Sequence, residues 1–180
     1  MQAEQRRAAH RLGLLAGVSM AGYVILRLWM PLAPYAEPAA RPDIAWFAPW
    51  PWGVVAYTAL LLALFWVYWR AYRLLLASDE RIRLAAVMLP AALFSIVLVG
   101  AFPANALDIY NYLLLGRVQA IFGQNPYLTP SAAIPLETWL PYAGEWGADI
   151  SPYGPVFQVA ANVIARVSGD HLLAGLLLFK

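Results

Sequence analysis

The chain has 180 residues, of which 62% are hydrophobic and only 12% charged, and its mean hydropathy is +0.61. Soluble domains sit at about half apolar and about a quarter charged, so the composition excludes an ordinary soluble fold and points to an integral membrane protein. The net charge of +2 is too small to suggest nucleic acid as a partner, and the lack of cysteine excludes disulfides and thiolate metal sites.

Arg6, Arg7 and Arg11 precede an apolar run from about Leu12 to Leu32. The run is longer than the core of a secretory signal, contains Arg27 and has no clear small-x-small cleavage site, which predicts a retained signal anchor. Arg27, toward the outer end of this span, is expected to snorkel to the headgroups beside Trp29, with contact to a lipid phosphate from inside the bundle as the lesser alternative. Gly13-xxx-Gly17 is a weak helix-packing motif on the same span. A second span is predicted from Trp52 to Leu76, and a third from about Leu84 to Phe102. A fourth helix is expected to open at Pro155, where proline is tolerated in the first turn, and to run to about Val167. Gly169 then suits a C-terminal cap, and Asp170 the N-cap of a fifth helix. The closing segment His171–Lys180 reads as the start of another span, cut after about ten residues where roughly 20 are needed. The chain is therefore expected to be the N-terminal part of a larger all-α, polytopic transmembrane bundle.

Orientation follows from the arginines. Arg6, Arg7, Arg11, Arg70, Arg73, Arg81 and Arg83 fall on one side of the predicted spans, and only Arg41 and Arg117 on the other. Seven against two places the N-terminus in the cytoplasm. Residues 103–154, with Asp108, Glu137, Glu145 and Asp149, and the first loop, with Glu37 and Asp43, then face outward. Trp46, Phe47, Trp50 and Trp52 mark the outer end of the second span; Trp66, Tyr68, Trp69 and Tyr72 mark its inner end, as expected of aromatic belts. The organisation is thus three spans in residues 1–102, an extracytoplasmic segment over 103–154, and the fourth and fifth helices in 155–180. The expected location is a bacterial inner (plasma) membrane.

The segment 103–154 carries most of the polar chemistry. Leu107 to about Gly123 reads as a helix at the membrane surface. Asp108, Asn111, Tyr112 and Gln119 share one face, and Leu113, Leu114 and Ile121 the other. Gln124-Asn-Pro-Tyr127 stops it, and Pro130, Pro135, Pro141, Pro152 and Pro155 punctuate the chain beyond that stop. So long a connection, rich in tryptophan and tyrosine, argues for function rather than disorder.

Asp108 could accept a proton from an attacking hydroxyl, which is general-base work, or serve as a first-turn acid favoured by the helix dipole. Arg117 could hold a phosphate through its planar fork or snorkel to headgroups; nine residues after Asp108 it lies on the opposite face, about 13 Å along the helix. Gln158, Asn162 and Arg166 recur every four residues, a stripe that in membrane helices more often joins helices than lines a groove. His10 and His171 are isolated, with no metal-ligand cluster around them.

Asp108-x-Tyr110-x-Tyr112-x-x-x-Gly116-Arg117, then Asn125-Pro-Tyr127, then Ser151-Pro-Tyr-Gly-Pro155, in that order and spacing, resembles the GT-C superfamily of membrane glycosyltransferases. The nearest branch is the bacterial polyprenyl-phosphate-mannose-dependent mannosyltransferases, and the resemblance covers about residues 100–180. It implies a fold of many spanning helices with an extracytoplasmic loop that holds the catalytic acid. The implied reaction takes a sugar, with mannose the first candidate, from a polyprenyl phosphate to a hydroxyl of a glycan or lipid-linked acceptor, usually with inversion. Asp108 would be the base, and Tyr110, Tyr112, Arg117, Asn125, Tyr127 and Tyr153 would surround donor and acceptor. Some branches carry a second acid just before the Gly-Arg pair. Leu115 stands there in this chain, so no metal or other cofactor is expected. Membrane lipids are the remaining partners. Two other classes compete: a transporter or flippase component, which would place polar groups inside broken spans at mid-depth, and a non-catalytic membrane module whose outer loop binds a partner.

Overall fold

The structure is a computed structural model that describes residues 2–33, 49–76, 80–103 and 108–180. Expectations for Glu37, Arg41, Asp43, Trp46, Phe47 and Leu107, and for the side chains of Arg81, Arg83 and Glu145, lie outside the described residues. The fold is helical, with no strand element among the described residues, and the chain divides into two compact units.

Among the described residues, the first unit holds three helices. Helix α1 spans Gln2–Trp29. It begins well before the apolar run because Gln-Ala-Glu-Gln-Arg-Arg-Ala-Ala is rich in helix formers with no breaker. Helix α2 spans Trp52–Leu76, the predicted bounds. Helix α3 spans Glu80–Val99, stops at Gly100 short of the expected Phe102, and carries Pro90 in its interior. Arg6–Trp29 and Trp52–Leu76 are long and apolar enough to cross a membrane, each with mean hydropathy 1.6; the apolar part of α3, Ala86–Val99, is shorter.

Helix α1 packs on both α2 and α3. The close approach is at Gly22, where an added Cβ would lie 2.7 Å from Leu64 Cδ2. The expected packing pair, Gly13 and Gly17, has no neighbour within 4 Å of either Cβ position and borders an open apolar groove instead. Tyr23 meets Phe94 with ring centroids 4.9 Å apart, and Trp29 meets Tyr57 edge-on at 6.4 Å. Arg27 is exposed, with its guanidinium beside Gly100. Leu28, Leu62, Phe65, Leu89 and Ile96 all point outward, a surface suited to lipid.

The second unit holds α4 (Asp108–Ala120), three short 3-10 turns (Ser131–Ala133, Leu140–Tyr142 and Gly144–Ala148), α5 (Pro155–Ser168) and α6 (Leu172–Phe179). Helix α5 starts as expected, with Gly154 extended and Pro155 in the first turn, and Gly169 ends it at φ 53°. The N-cap position of α6 is His171 rather than Asp170, and no side chain caps it. The core of this unit includes Tyr110, Leu113, Leu114, Leu115, Val118, Ala161, Ala165 and Leu176.

Helix α4 differs from the two-faced surface helix that its periodicity predicts. Tyr110, Asn111 and the whole stretch Leu113–Val118 are buried, while Ile121, expected in the packed face, is exposed. The cause is coverage from several sides: α5, α6 and the first two 3-10 turns pack against α4. Helix α5 comes so close that a Cβ on Gly116 would collide with the Ala161 carbonyl, so only glycine is accommodated there.

Candidate functional site

Asp108 opens α4, where an acid is favoured by the helix dipole. It is half-buried. Tyr112 follows one turn later on the same face. Its ring stands edge-on to Tyr153, centroids 5.1 Å apart, and edge-on to Phe157 at 5.2 Å. Tyr153 and Phe157 are 4.7 Å apart, and Phe179 closes the cluster 6.2 Å from Tyr112. The Tyr153 phenol is pushed up to about 12, first by desolvation, then by the Tyr112 hydroxyl beside it and by the negative charge of Asp108. Of the predicted site residues, Tyr112 and Tyr153 therefore meet, and Asp108 lies near enough for its charge to act on the Tyr153 phenol. They offer a carboxylate near two phenols, with aromatic faces around them.

Tyr110 points elsewhere. It is buried and stacked on Tyr142, centroids 5.3 Å apart and planes 9° from parallel. Its phenol is pushed upward by burial and, less, by Tyr142. Asn111, expected beside Asp108 on an open polar face, is buried, and its Oδ1 has no hydrogen-bond partner among the described residues.

Arg117 has partners other than the phosphate or headgroup expected for it. Its side chain is only 3% exposed, and its Nε donates to Glu137 Oε2 at 2.8 Å, a carboxylate that is itself buried. Nη1 donates to the Gly169 carbonyl at 2.6 Å and Nη2 to Asp170 Oδ1 at 3.2 Å. The guanidinium also lies 3.8 Å from the centroid of the Trp139 ring. Glu137 Oε1 accepts from the Trp139 backbone N–H at 2.9 Å. One cation thus ties α4 to the 3-10 segment and to the α5–α6 junction. The Asp170 carboxylate is 90% exposed, so that third bond is the weak one.

Asn125 and Tyr127 sit in a tight turn. Asn125 Oδ1 accepts from the Tyr127 N–H at 3.0 Å, and the Asn125 carbonyl accepts from the Leu128 and Thr129 N–H groups. The turn is bound to the Ser151–Pro155 motif: the Ser151 N–H donates to the Pro126 carbonyl at 2.8 Å. Ser151 Oγ donates to Gln158 Oε1 at 3.0 Å, and Gln158 Nε2 donates to the Leu115 carbonyl at 3.0 Å. Gln158 is buried within the stripe expected to join helices, whereas Asn162 only accepts from Arg166 at the exposed surface.

Sequence reasoning missed Glu137 and Trp139. One signal was present: Glu137 is the only charged residue between Arg117 and Glu145, so a buried arginine had one candidate partner nearby. Among the described residues no cluster of histidines and acids is placed to hold a metal ion.

The family model described as alpha-(1->6)-mannopyranosyltransferase, N-terminal domain, matches residues 10–180. A curated relative, alpha-(1->6)-mannopyranosyltransferase A of Corynebacterium glutamicum, is 28% identical over 125 residues, which is 67% of this chain and 25% of the relative. The chain thus spans about a quarter of the length of the relative it matches. No solved structure matches it.

Proposed function

We infer the function from one premise: this chain belongs to the alpha-(1->6)-mannopyranosyltransferase family, through that family's N-terminal domain. The protein is a membrane mannosyltransferase of GT-C type. It moves mannose from a polyprenyl-phosphate donor to a hydroxyl of a glycan or lipid-linked acceptor on the outer side of the membrane. The observation that carries this reading is the contact of Tyr112 with Tyr153 beside the start of α4, within reach of the Asp108 charge.

The reaction needs few protein groups. The acceptor oxygen attacks the anomeric carbon and forms the new C–O bond. The bond from that carbon to the phosphate oxygen breaks, and the electron pair leaves on the phosphate, which needs no proton. The acceptor's proton goes to the Asp108 carboxylate. Tyr112 and Tyr153 hold sugar hydroxyls beside it, because neutral phenols both donate and accept. Their rings and Phe157 line the place where water must be kept out. Asn125 and Tyr127 belong to the substrate surface at the other end of α4. Arg117 acts through structure, since its donors are engaged by Glu137 and Gly169. Tyr110 serves the core.

Asp108→Asn in the full-length enzyme is the test. The amide keeps size and hydrogen bonding but cannot take the proton, so turnover should fall about 10²–10⁴-fold with donor affinity little changed. Near-normal turnover would remove Asp108 from this role and make Asp149 and Glu145 the next carboxylates to replace.

A further inference from the structure

The Asn125–Tyr127 turn and α5 border a cleft that the transfer chemistry does not use. It has a volume of about 390 Å³ and is lined by Gln119, Gln124, Asn125, Tyr127, Gln158 and Val159, among others. That volume is in the range of small-ligand sites, about 300–1,000 Å³. No lysine, arginine, aspartate or glutamate is among its lining residues.

The lining chemistry is specific. Gln119, Gln124 and Asn125 are exposed. The side chains of Gln119 and Gln124 make no hydrogen bond to described residues, and Asn125 uses only its Oδ1. The floor is rigid by contrast, because Gln158 is fixed by Ser151 and by the Leu115 carbonyl. Tyr127 adds part of the wall, although its hydroxyl is enclosed and has no hydrogen-bond partner among the described residues. Amides both donate and accept, as sugar hydroxyls do. Pro155 and Val159 add apolar surface for the C–H faces of a sugar ring. A phosphate would find no cation here, so the cleft does not suit the donor headgroup.

Gln119 lies eleven residues beyond Asp108 on α4, about 16 Å along the helix axis. The Gln119 end of the cleft is therefore well removed from Asp108, while Pro155 brings its other end within two residues of Tyr153. We propose that this cleft binds a stretch of neutral oligosaccharide, the part of the acceptor glycan that lies several sugars away from the attacking hydroxyl. This rests on the mannosyltransferase reading above and adds to it a subsite for acceptor chain length.

The test uses the full chain in detergent micelles and an α-(1→6)-linked mannotriose as the probe, since that trisaccharide carries the linkage the family is named for. Affinity is measured by titration for the wild type and for Gln119→Ala, Val159→Trp and Asp108→Asn. Gln119 and Val159 are exposed, so both replacements should leave the fold intact, which circular dichroism checks. Gln119→Ala should weaken binding about five- to tenfold, the loss of one good hydrogen bond. Val159→Trp should fill the cleft and abolish binding, and Asp108→Asn should bind as the wild type does. Equal affinity in all four proteins, or no binding by the wild type, would overturn the proposal. Transfer assays on the full-length enzyme separate the two readings. Loss of transfer in Asp108→Asn with unchanged trisaccharide binding in the cleft variants sinks the cleft alone. Retained transfer in Asp108→Asn with lost binding in the cleft variants sinks the base alone and supports the cleft.

Discussion

At the scale of single residues, Arg117 and Tyr153 make the clearest claims. Arg117 and Glu137 are both buried and paired at 2.8 Å. Removing one member of such a pair strands the other charge, at a cost of about 3–5 kcal/mol. Arg117→Ala should therefore lower the melting temperature by roughly 6–20 °C, taking about 2–4 °C per kcal/mol for a chain of this size. Arg117→Lys should recover only part of this, because an ammonium cannot bond Glu137 and Gly169 as a planar fork while stacking on Trp139. If Arg117→Ala melts as the wild type does but loses donor affinity, the arginine faces phosphate and not Glu137. Tyr153 makes a claim about pH. Its phenol is raised to about 12, so the folded state prefers the protonated form. That contribution to stability is full below the ordinary value of about 10 and is lost as pH climbs from about 10 to about 12. Tyrosinate absorbance at alkaline pH should lose one late-titrating step in Tyr153→Phe. A Tyr153 that ionises near its ordinary value of about 10 would mean that neither desolvation nor the neighbouring Tyr112 and Asp108 act on it as the geometry implies.

At the scale of elements, the packing of α4 against α5 turns on one position. The Gly116 Cβ site is occupied by the Ala161 carbonyl. Backbone cannot yield as a flexible side chain can, so Gly116→Val must push the helices apart and should destabilise by at least the roughly 1–3 kcal/mol typical of overpacking. Gly13→Ala, with open space around its Cβ, should be close to neutral or slightly stabilising through helix propensity. Equal melting of the two variants would contradict this geometry. The same contrast indicates what the sequence makes legible. Signals that act locally were readable: Trp52–Leu76 from its apolar length, the start of α5 from Pro155, its end from Gly169. The shared helix face of Asp108 and Tyr112 is also local, being one helical turn. What α4 packs against is not local. Its burial depends on residues 131–176 folding over it, and no periodicity within α4 encodes that. Glu137 reaches Arg117 across 20 residues of chain, and Gly13-xxx-Gly17 reads as a contact although the helices meet at Gly22. Small residues permit close approach without requiring it.

At the scale of the whole molecule, function depends on which side of the membrane each segment faces. The proposed reaction brings a lipid-linked donor and a glycan together outside the membrane, so the Asp108 region must be extracytoplasmic for it to occur. The argument for this orientation is electrostatic: arginines near short loops resist translocation, and Arg6, Arg7, Arg11, Arg70, Arg73, Arg81 and Arg83 are expected on one side of the predicted spans. Two exposed leucines give clean reporters. Leu76 ends α2 close to Arg73 in sequence, and Leu136 lies in the 3-10 segment, 80% exposed. The parent sequence contains no cysteine, so Leu76→Cys and Leu136→Cys each introduce a single thiol without background. In intact cells a membrane-impermeant maleimide should label Leu136→Cys and spare Leu76→Cys, and permeabilised cells should label both. The reverse pattern would put Asp108, Tyr112 and Tyr153 in the cytoplasm, where an outward-facing acceptor cannot reach them. It would remove the outer-side reaction even if Asp108→Asn proved inactive, because the carboxylate would then be serving a different acceptor. Labelling of both from outside would mean that an even number of crossings, or none, separates α2 from the 3-10 segment, and the arginine count would have misled through α3, whose apolar stretch is the shortest of the three.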